Sequence, residues 1–184
     1  DRDSSNLFIV KPGEEFDEVE KKFKSTMPNA TISQIQRVQN QAMHQAFLLQ
    51  LSTLKRQLKE WDEGTMRRKL WHGTEAVEAI VNSEDGYGFL PLLAGTKVGA
   101  KWGGGTYFAR DARYSNDYAR SLSSGQKQRL LCDVLVGQSA QGAQGMKMCP
   151  LLPGEKIKRY NSLVDSVDAP SIFVIQHSNQ AYPS

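Results

Sequence analysis

The run "QAMHQAFLLQLSTLKRQLKEW" (41–61) sets Phe47, Leu51, Leu54, Leu58 and Trp61 at alternating steps of four and three. That spacing lines one face of an α-helix, and plain core packing accounts for the stripe. His44 sits three residues before Phe47 on that face or its edge, and no role is assigned to it. Upstream, "NLFIVK" (6–11) is a β-branched and aromatic run ended by Pro12-Gly13, which predicts a strand and a turn. Phe16, Val19 and Phe23 recur at helical spacing in "EEFDEVEKKFKS", with acids early and lysines late, as the helix dipole favours. "ATISQIQRVQN" (30–40) steps by three at Ile32, Ile35 and Val38. Its β-branched residues after the Pro28-Asn29 break still predict a strand.

From residue 62 the pattern changes. "DEGTMRR" (62–68) predicts a polar connection, "KLWHGT" (69–74) a short strand and "EAVEAIVNS" (75–83) a helix. A glycine-rich stretch from Asp85 to Gly105 carries Gly86, Gly88, Gly95, Gly99, Gly103, Gly104 and Gly105. It is expected to build no side-chain core, and to turn sharply or approach something closely. "TYFAR" (106–110) predicts a strand, with Asp111 as a helix cap before "ARYSNDYARSLS". "RLLCDVLVGQ" (129–138) and "SIFVIQH" (171–177) predict buried strands, separated by a Gly/Pro-punctuated loop over 141–160. Strands and helices do not alternate regularly, so the fold class is α+β.

A chain of 184 residues is one domain's worth, and no repeat or low-complexity tract divides it. Lys and Arg number 23 against 20 Asp and Glu, a balance that does not indicate nucleic-acid binding. No apolar run is long enough for a membrane span, so no membrane association is expected. Cys132 and Cys149 have no paired spacing, and His44, His72 and His177 form no HExxH pattern. No metal site is therefore predicted, and a reducing intracellular setting, cytoplasmic or nuclear, is the expectation.

Candidate chemistry centres on "LWHGT" (70–74), where a titratable ring opens a segment of buried character. A lone histidine is more often a satisfied core or surface group. The "GGGTYF" run lacks GxxxxGK[ST] and precedes a strand, so phosphate-loop and dinucleotide-fold readings fail on context.

Order and combination change this. "LWHGT", then "GGGTYFARDARYSNDYA" (103–119), then "DSVDAPSIFVIQHSNQAYP" (165–183) together resemble the catalytic domain of the poly(ADP-ribose) polymerase family, in its mono-ADP-ribosylating branch. The likeness runs from Asn6 to Pro183, and implies a single catalytic domain over 1–184 without a helical regulatory domain. It implies a split, bent antiparallel sheet with flanking helices, gripping NAD in a cleft. His72 then opens the family's catalytic triad and holds the adenosine ribose. Gly73 holds the nicotinamide carboxamide through its backbone, where a side chain would crowd the amide; valine there is expected to block binding and leave the fold intact. Thr74 is a hydroxyl near the same ribose or a helix cap. Tyr107, second in the triad, and Tyr118 are aromatic walls for nicotinamide, and Ser115 adds a hydroxyl to the carboxamide.

Two departures matter. Gly104 stands where most relatives carry lysine, so the loop loses a cation and is expected to gain flexibility. Ile172 stands at the third triad position, where polymer-forming relatives carry glutamate, and no acid follows Asp168. The resemblance implies that the loop 139–160 faces the acceptor, and that relatives carry a final strand after the stretch matched by "NQAYPS". The resemblance implies an NAD-dependent mono-ADP-ribosyltransferase acting on a protein acceptor, with NAD a consumed substrate and no metal. A domain that binds NAD or ADP-ribose without transfer is the alternative.

Overall fold

The computed structural model describes residues 6–86, 88–91 and 100–184; Gly95 and Gly99 lie outside the described residues. The chain opens with β1 (Leu7–Ile9), α1 (Glu14–Lys24) and β2 (Gln36–Val38), and β1 and β2 pair as a two-stranded antiparallel ribbon. Of the expected 30–40 strand only these last residues enter a ladder. Helix α2 (Gln41–Gln57) begins at Asn40, whose buried side chain accepts from the Met43 N–H and donates to the carbonyls of Val81 and Ser83. One amide thus caps a helix and ties it to a segment over 40 residues away. Phe47 and Leu54 are buried with Leu135, while Leu58 and Trp61 lie past the helix end. Trp61 still packs on that cluster.

The "DEGTMRR" stretch is not a plain connection. Asp62 accepts from the Thr65 N–H at 2.7 Å and caps a single turn, α3 (Glu63–Met66), and Arg67 already begins β3 (Arg67–His72). The strand stops at His72, so Gly73 and Thr74 leave the sheet. Next come α4 (Val77–Val81), β4 (Thr106–Ala109) and α5 (Ala112–Ser115), the last followed by a 3-10 turn over Asn116–Tyr118. Asp111 stands at the N-cap of α5 without capping it. Its carboxylate pairs with Arg110, and the Thr26 hydroxyl accepts the Ala112 N–H instead.

The remaining strands are β5 (Arg120–Ser121), β6 (Lys127–Gln128), β7 (Leu130–Leu135), β8 (Ser139–Gln141), β9 (Ser162–Val164), β10 (Ile172–Ile175) and β11 (Ala181–Pro183). Seven of the strands form one sheet in the order β11-β7-β3-β4-β10-β9-β8, and β5 pairs with β6. All neighbours are antiparallel, as expected, except β8 and β9, which run parallel at one edge. The "NQAYPS" stretch supplies β11 itself, laid against β7 at the edge. The α+β class holds.

The split in the sheet has a position. β3 and β7 pair over six residues, from Arg67 opposite Leu135 to His72 opposite Leu130, and β10 pairs with β4 over four. Between β3 and β4 a single registered pair remains, Trp71 opposite Ala109. At that opening β3 ends with His72, still paired with Leu130, and Gly73 leaves the sheet. Phe89, from the glycine-rich stretch, fills the main core beside Phe108, so that stretch does supply a core residue.

Candidate active site

His72 sits between two aromatic rings, with Phe108 5.0 Å and Phe89 5.4 Å away, centroid to centroid. Its Nδ1 lies 2.7 Å from the Tyr107 carbonyl oxygen. A carbonyl only accepts, so Nδ1 carries the proton and Nε2 keeps a free lone pair. Burial, opposed in part by that carbonyl, pushes the ring's pKa down to about 4. The imidazole is therefore neutral at pH 7, in one tautomer, as a fixed acceptor.

Gly73 packs against the turn after α5. A Cβ there would stand 2.2 Å from the Ser115 carbonyl oxygen, 3.0 Å from Tyr118 Cβ and 3.1 Å from the Ala119 nitrogen. The glycine is required by the protein's own backbone before any ligand arrives, which corrects the expectation that valine would spare the fold. Ser115 is buried, and its hydroxyl makes one long bond, 3.4 Å, to the Ala112 carbonyl. The Thr74 hydroxyl accepts from the Ala76 N–H at 3.1 Å, a local turn just ahead of α4.

The Tyr107 hydroxyl donates to the Gly103 carbonyl at 2.6 Å and accepts from the Trp102 N–H at 3.0 Å. Burial raises its pKa, and Tyr118 nearby adds to the rise. Tyr118 is 39% exposed and lies against Tyr114 at 5.8 Å between centroids. Tyr114 was not anticipated. Burial, with Tyr118 beside it, pushes its phenol up to about 12. Arg129 fixes this turn, donating to the Ala112 carbonyl and to Asn116 Oδ1 while lying over the Phe23 ring.

The triple glycine divides by position. Gly103 and Gly105 have φ of 105° and 147°, and a Cβ would meet Leu163 Cδ1 at 2.5 Å and the Ile175 carbonyl at 2.3 Å. At Gly104 no atom of the described residues lies closer than 3.6 Å to such a Cβ. So, among the described residues, only the middle glycine, where the resemblance sets a lysine, has room for a side chain. Its N–H donates to the Met146 carbonyl at 2.7 Å, so backbone contacts hold the turn.

Ile172 is 4% exposed and stands opposite Ala109. Strand alternation puts it on the face of β10 shared by Val174, the partner of Tyr107. An acid does lie beside it, but not in the strand. Asp165 Oδ1 accepts from the N–H groups of Ser171 and Ile172, both at 2.9 Å, and Oδ2 accepts from the Ser171 hydroxyl. Burial alone would raise that carboxyl, but these donors hold it below the ordinary carboxylate range. Contacts thus bring His72, Gly73, Tyr107, Ser115 and Tyr118 together, and Ile172 joins them through the β4–β10 ladder.

A model of the poly(ADP-ribose) polymerase catalytic domain family matches residues 13–184. The chain belongs to this family. Among relatives similar to it are protein mono-ADP-ribosyltransferase PARP12 of Mus musculus, 33% identical over 96% of this chain and 24% of its own length, and PARP11 of Homo sapiens, 33% identical over 92% and 54%. PARP14 of Homo sapiens is 33% identical over 92% of this chain and 9% of its own. The chain spans about a quarter of the length of the PARP12 relatives. The family uses NAD as substrate.

Proposed function

We propose that this chain is the transferase domain of an NAD-dependent mono-ADP-ribosyltransferase, moving ADP-ribose from NAD to a protein acceptor. The observation that carries this is the neutral, one-tautomer His72 beside the Gly73 notch and two tyrosines. In this reading Nε2 of His72 accepts from a ribose hydroxyl of NAD, and Thr74 lies at the same sugar. The Gly73 backbone and the Ser115 hydroxyl hold the nicotinamide carboxamide, and Tyr107 and Tyr118 flank the ring.

The bond that breaks joins nicotinamide nitrogen to the ribose anomeric carbon. Nicotinamide leaves with the bonding electron pair, through a transition state of oxocarbenium character, as in glycoside cleavage. A lone pair on an acceptor carboxylate then closes the new C–O bond. Holding the carboxamide at one end of NAD and the adenosine ribose at the other orients the departing ring and the electrophilic carbon that lies between these anchors, which is orientation acting as catalysis. Incubation with NAD should release nicotinamide, and His72→Ala should slow that release roughly five- to 150-fold. Leaving a ribose hydroxyl unpaired costs about 1–3 kcal/mol, and tenfold is about 1.4 kcal/mol. Release unaffected by that substitution would remove His72 from the site.

Tyr118→Ala should weaken a nicotinamide mimic in calorimetry by roughly tenfold. A stacked pair contributes about 0.5–1.5 kcal/mol beyond the area it buries, and equal affinity in the variant would exclude the wall. Ile172, buried and without an acceptor atom, favours a second reading: a module that binds NAD without transfer. The parent's nicotinamide release separates the two.

A further inference from the structure

We infer that Gln176 is a positioning residue that locks the acceptor-facing segment 146–149 to the nicotinamide wall; this rests on the proposed transferase reading. Gln176 follows β10 directly, half-buried. Its Nε2 donates to the carbonyls of Gly104 at 2.9 Å and Lys147 at 3.2 Å, and its Oε1 accepts from the Cys149 N–H at 2.8 Å. Two carbonyls and one N–H fix which way the amide points, because carbonyls only accept. One side chain therefore grips three backbone groups from two segments far apart in sequence.

Both segments lead to Tyr107. Gly104 is next to Gly103, whose carbonyl receives the Tyr107 hydroxyl, and the Gly104 N–H reaches back to Met146. Segment 146–149 has no strand partner among the described residues. Besides Gln176, the hydrogen bonds that tie it to the described residues outside its own turn are the Met146 carbonyl on Gly104 and Arg159 donating to the Cys149 carbonyl, while Met146 and Cys149 also pack with Leu163 and Val174. Tyr107 itself stays in the β4 ladder opposite Val174, so the ring can still receive nicotinamide when the clamp is lost. What shifts is the backbone around the ribose and the acceptor, and a small misplacement there lowers turnover more than affinity.

Gln176→Leu keeps the volume and removes all three bonds. Turnover in nicotinamide release should fall roughly tenfold, with the KM for NAD changed less than about threefold. Gln176→Glu keeps the acceptor for Cys149 and turns a charge toward two carbonyls, which raises its own pKa. Once protonated it regains one donor, so its turnover relative to the parent should recover as pH falls from about 8 to about 5.5, and the Leu variant's should not. A Leu variant within twofold of the parent, a loss confined to KM, or a Glu variant that tracks Leu across this range each overturns the inference. A parent that releases no nicotinamide fails the transferase reading instead. Hydrogen exchange then still decides Gln176: the Cys149 amide should exchange at least tenfold faster in the Leu variant, and an unchanged rate overturns the clamp.

Discussion

Gly73→Val should abolish binding of a nicotinamide mimic and lower the melting temperature in the same protein. The added Cβ alone would sit 2.2 Å from the Ser115 carbonyl, and two further methyl groups widen the conflict with Tyr118 and Ala119. Relief would require backbone to move, because the Ser115 carbonyl and the Ala119 nitrogen cannot rotate aside as a side chain does. That backbone is held by Arg129 through Ala112 and Asn116. Overpacking of this kind costs about 1–3 kcal/mol, and more where backbone resists. For a domain of this size each kcal/mol is about 2–4 °C, so a fall of roughly 5–10 °C is expected in a thermal melt. Gly73→Ala should show the same two effects at smaller amplitude. A valine variant that binds the mimic like the parent would refute the carboxamide contact. One that melts like the parent would show that the turn carrying Ser115 and Tyr118 yields freely.

The elements legible in the sequence are those whose own residues fix them. The α2 stripe, the buried runs of β7 and β10, and the acid-to-lysine gradient of α1 each have an internal period or polarity. The short strands β5, β6, β8, β9 and β11 have two or three residues each, and their pairing is decided by partners elsewhere. Asp62 hides a helical turn in a polar stretch, because a cap and a loop share the same composition. The ordered His-Gly-Thr, Gly-Thr-Tyr-Phe-Ala and Ser-x-x-Tyr set singles out these residues, but it does not show that Gly73 also clears the protein's own backbone. A glycine that clears a ligand and one that clears Ser115 look alike in sequence. Gln176 acts on backbone groups 27 to 72 residues away, beyond any local window, and Asp165, though only six residues from Ser171, acts across a turn that carries no periodic signal. One signal did exist for Gln176: a polar residue closing an otherwise fully buried strand.

Products should be single ADP-ribose units on protein, formed slowly. Extending a chain requires the ribose hydroxyl of an attached ADP-ribose to attack a second NAD. A neutral hydroxyl is a poor nucleophile, and a carboxylate beside it can polarise that hydroxyl and the donor ribose. Ile172 has no atom for this, and Asp165 nearby already accepts from the backbone of Ser171 and Ile172. A glutamate or aspartate on an acceptor protein brings its own negative charge, so the first transfer needs no help from position 172. Intact mass after incubation with NAD should show discrete additions of one unit per site, and polymer ladders on a gel would sink the idea. Ile172→Glu should not convert the chain to a polymerase. The new carboxyl would enter a position 4% exposed, next to the Asp165 carboxylate, where burial and like charge both raise its pKa. Single-unit products from that variant, with a lowered melting temperature, are the expected result.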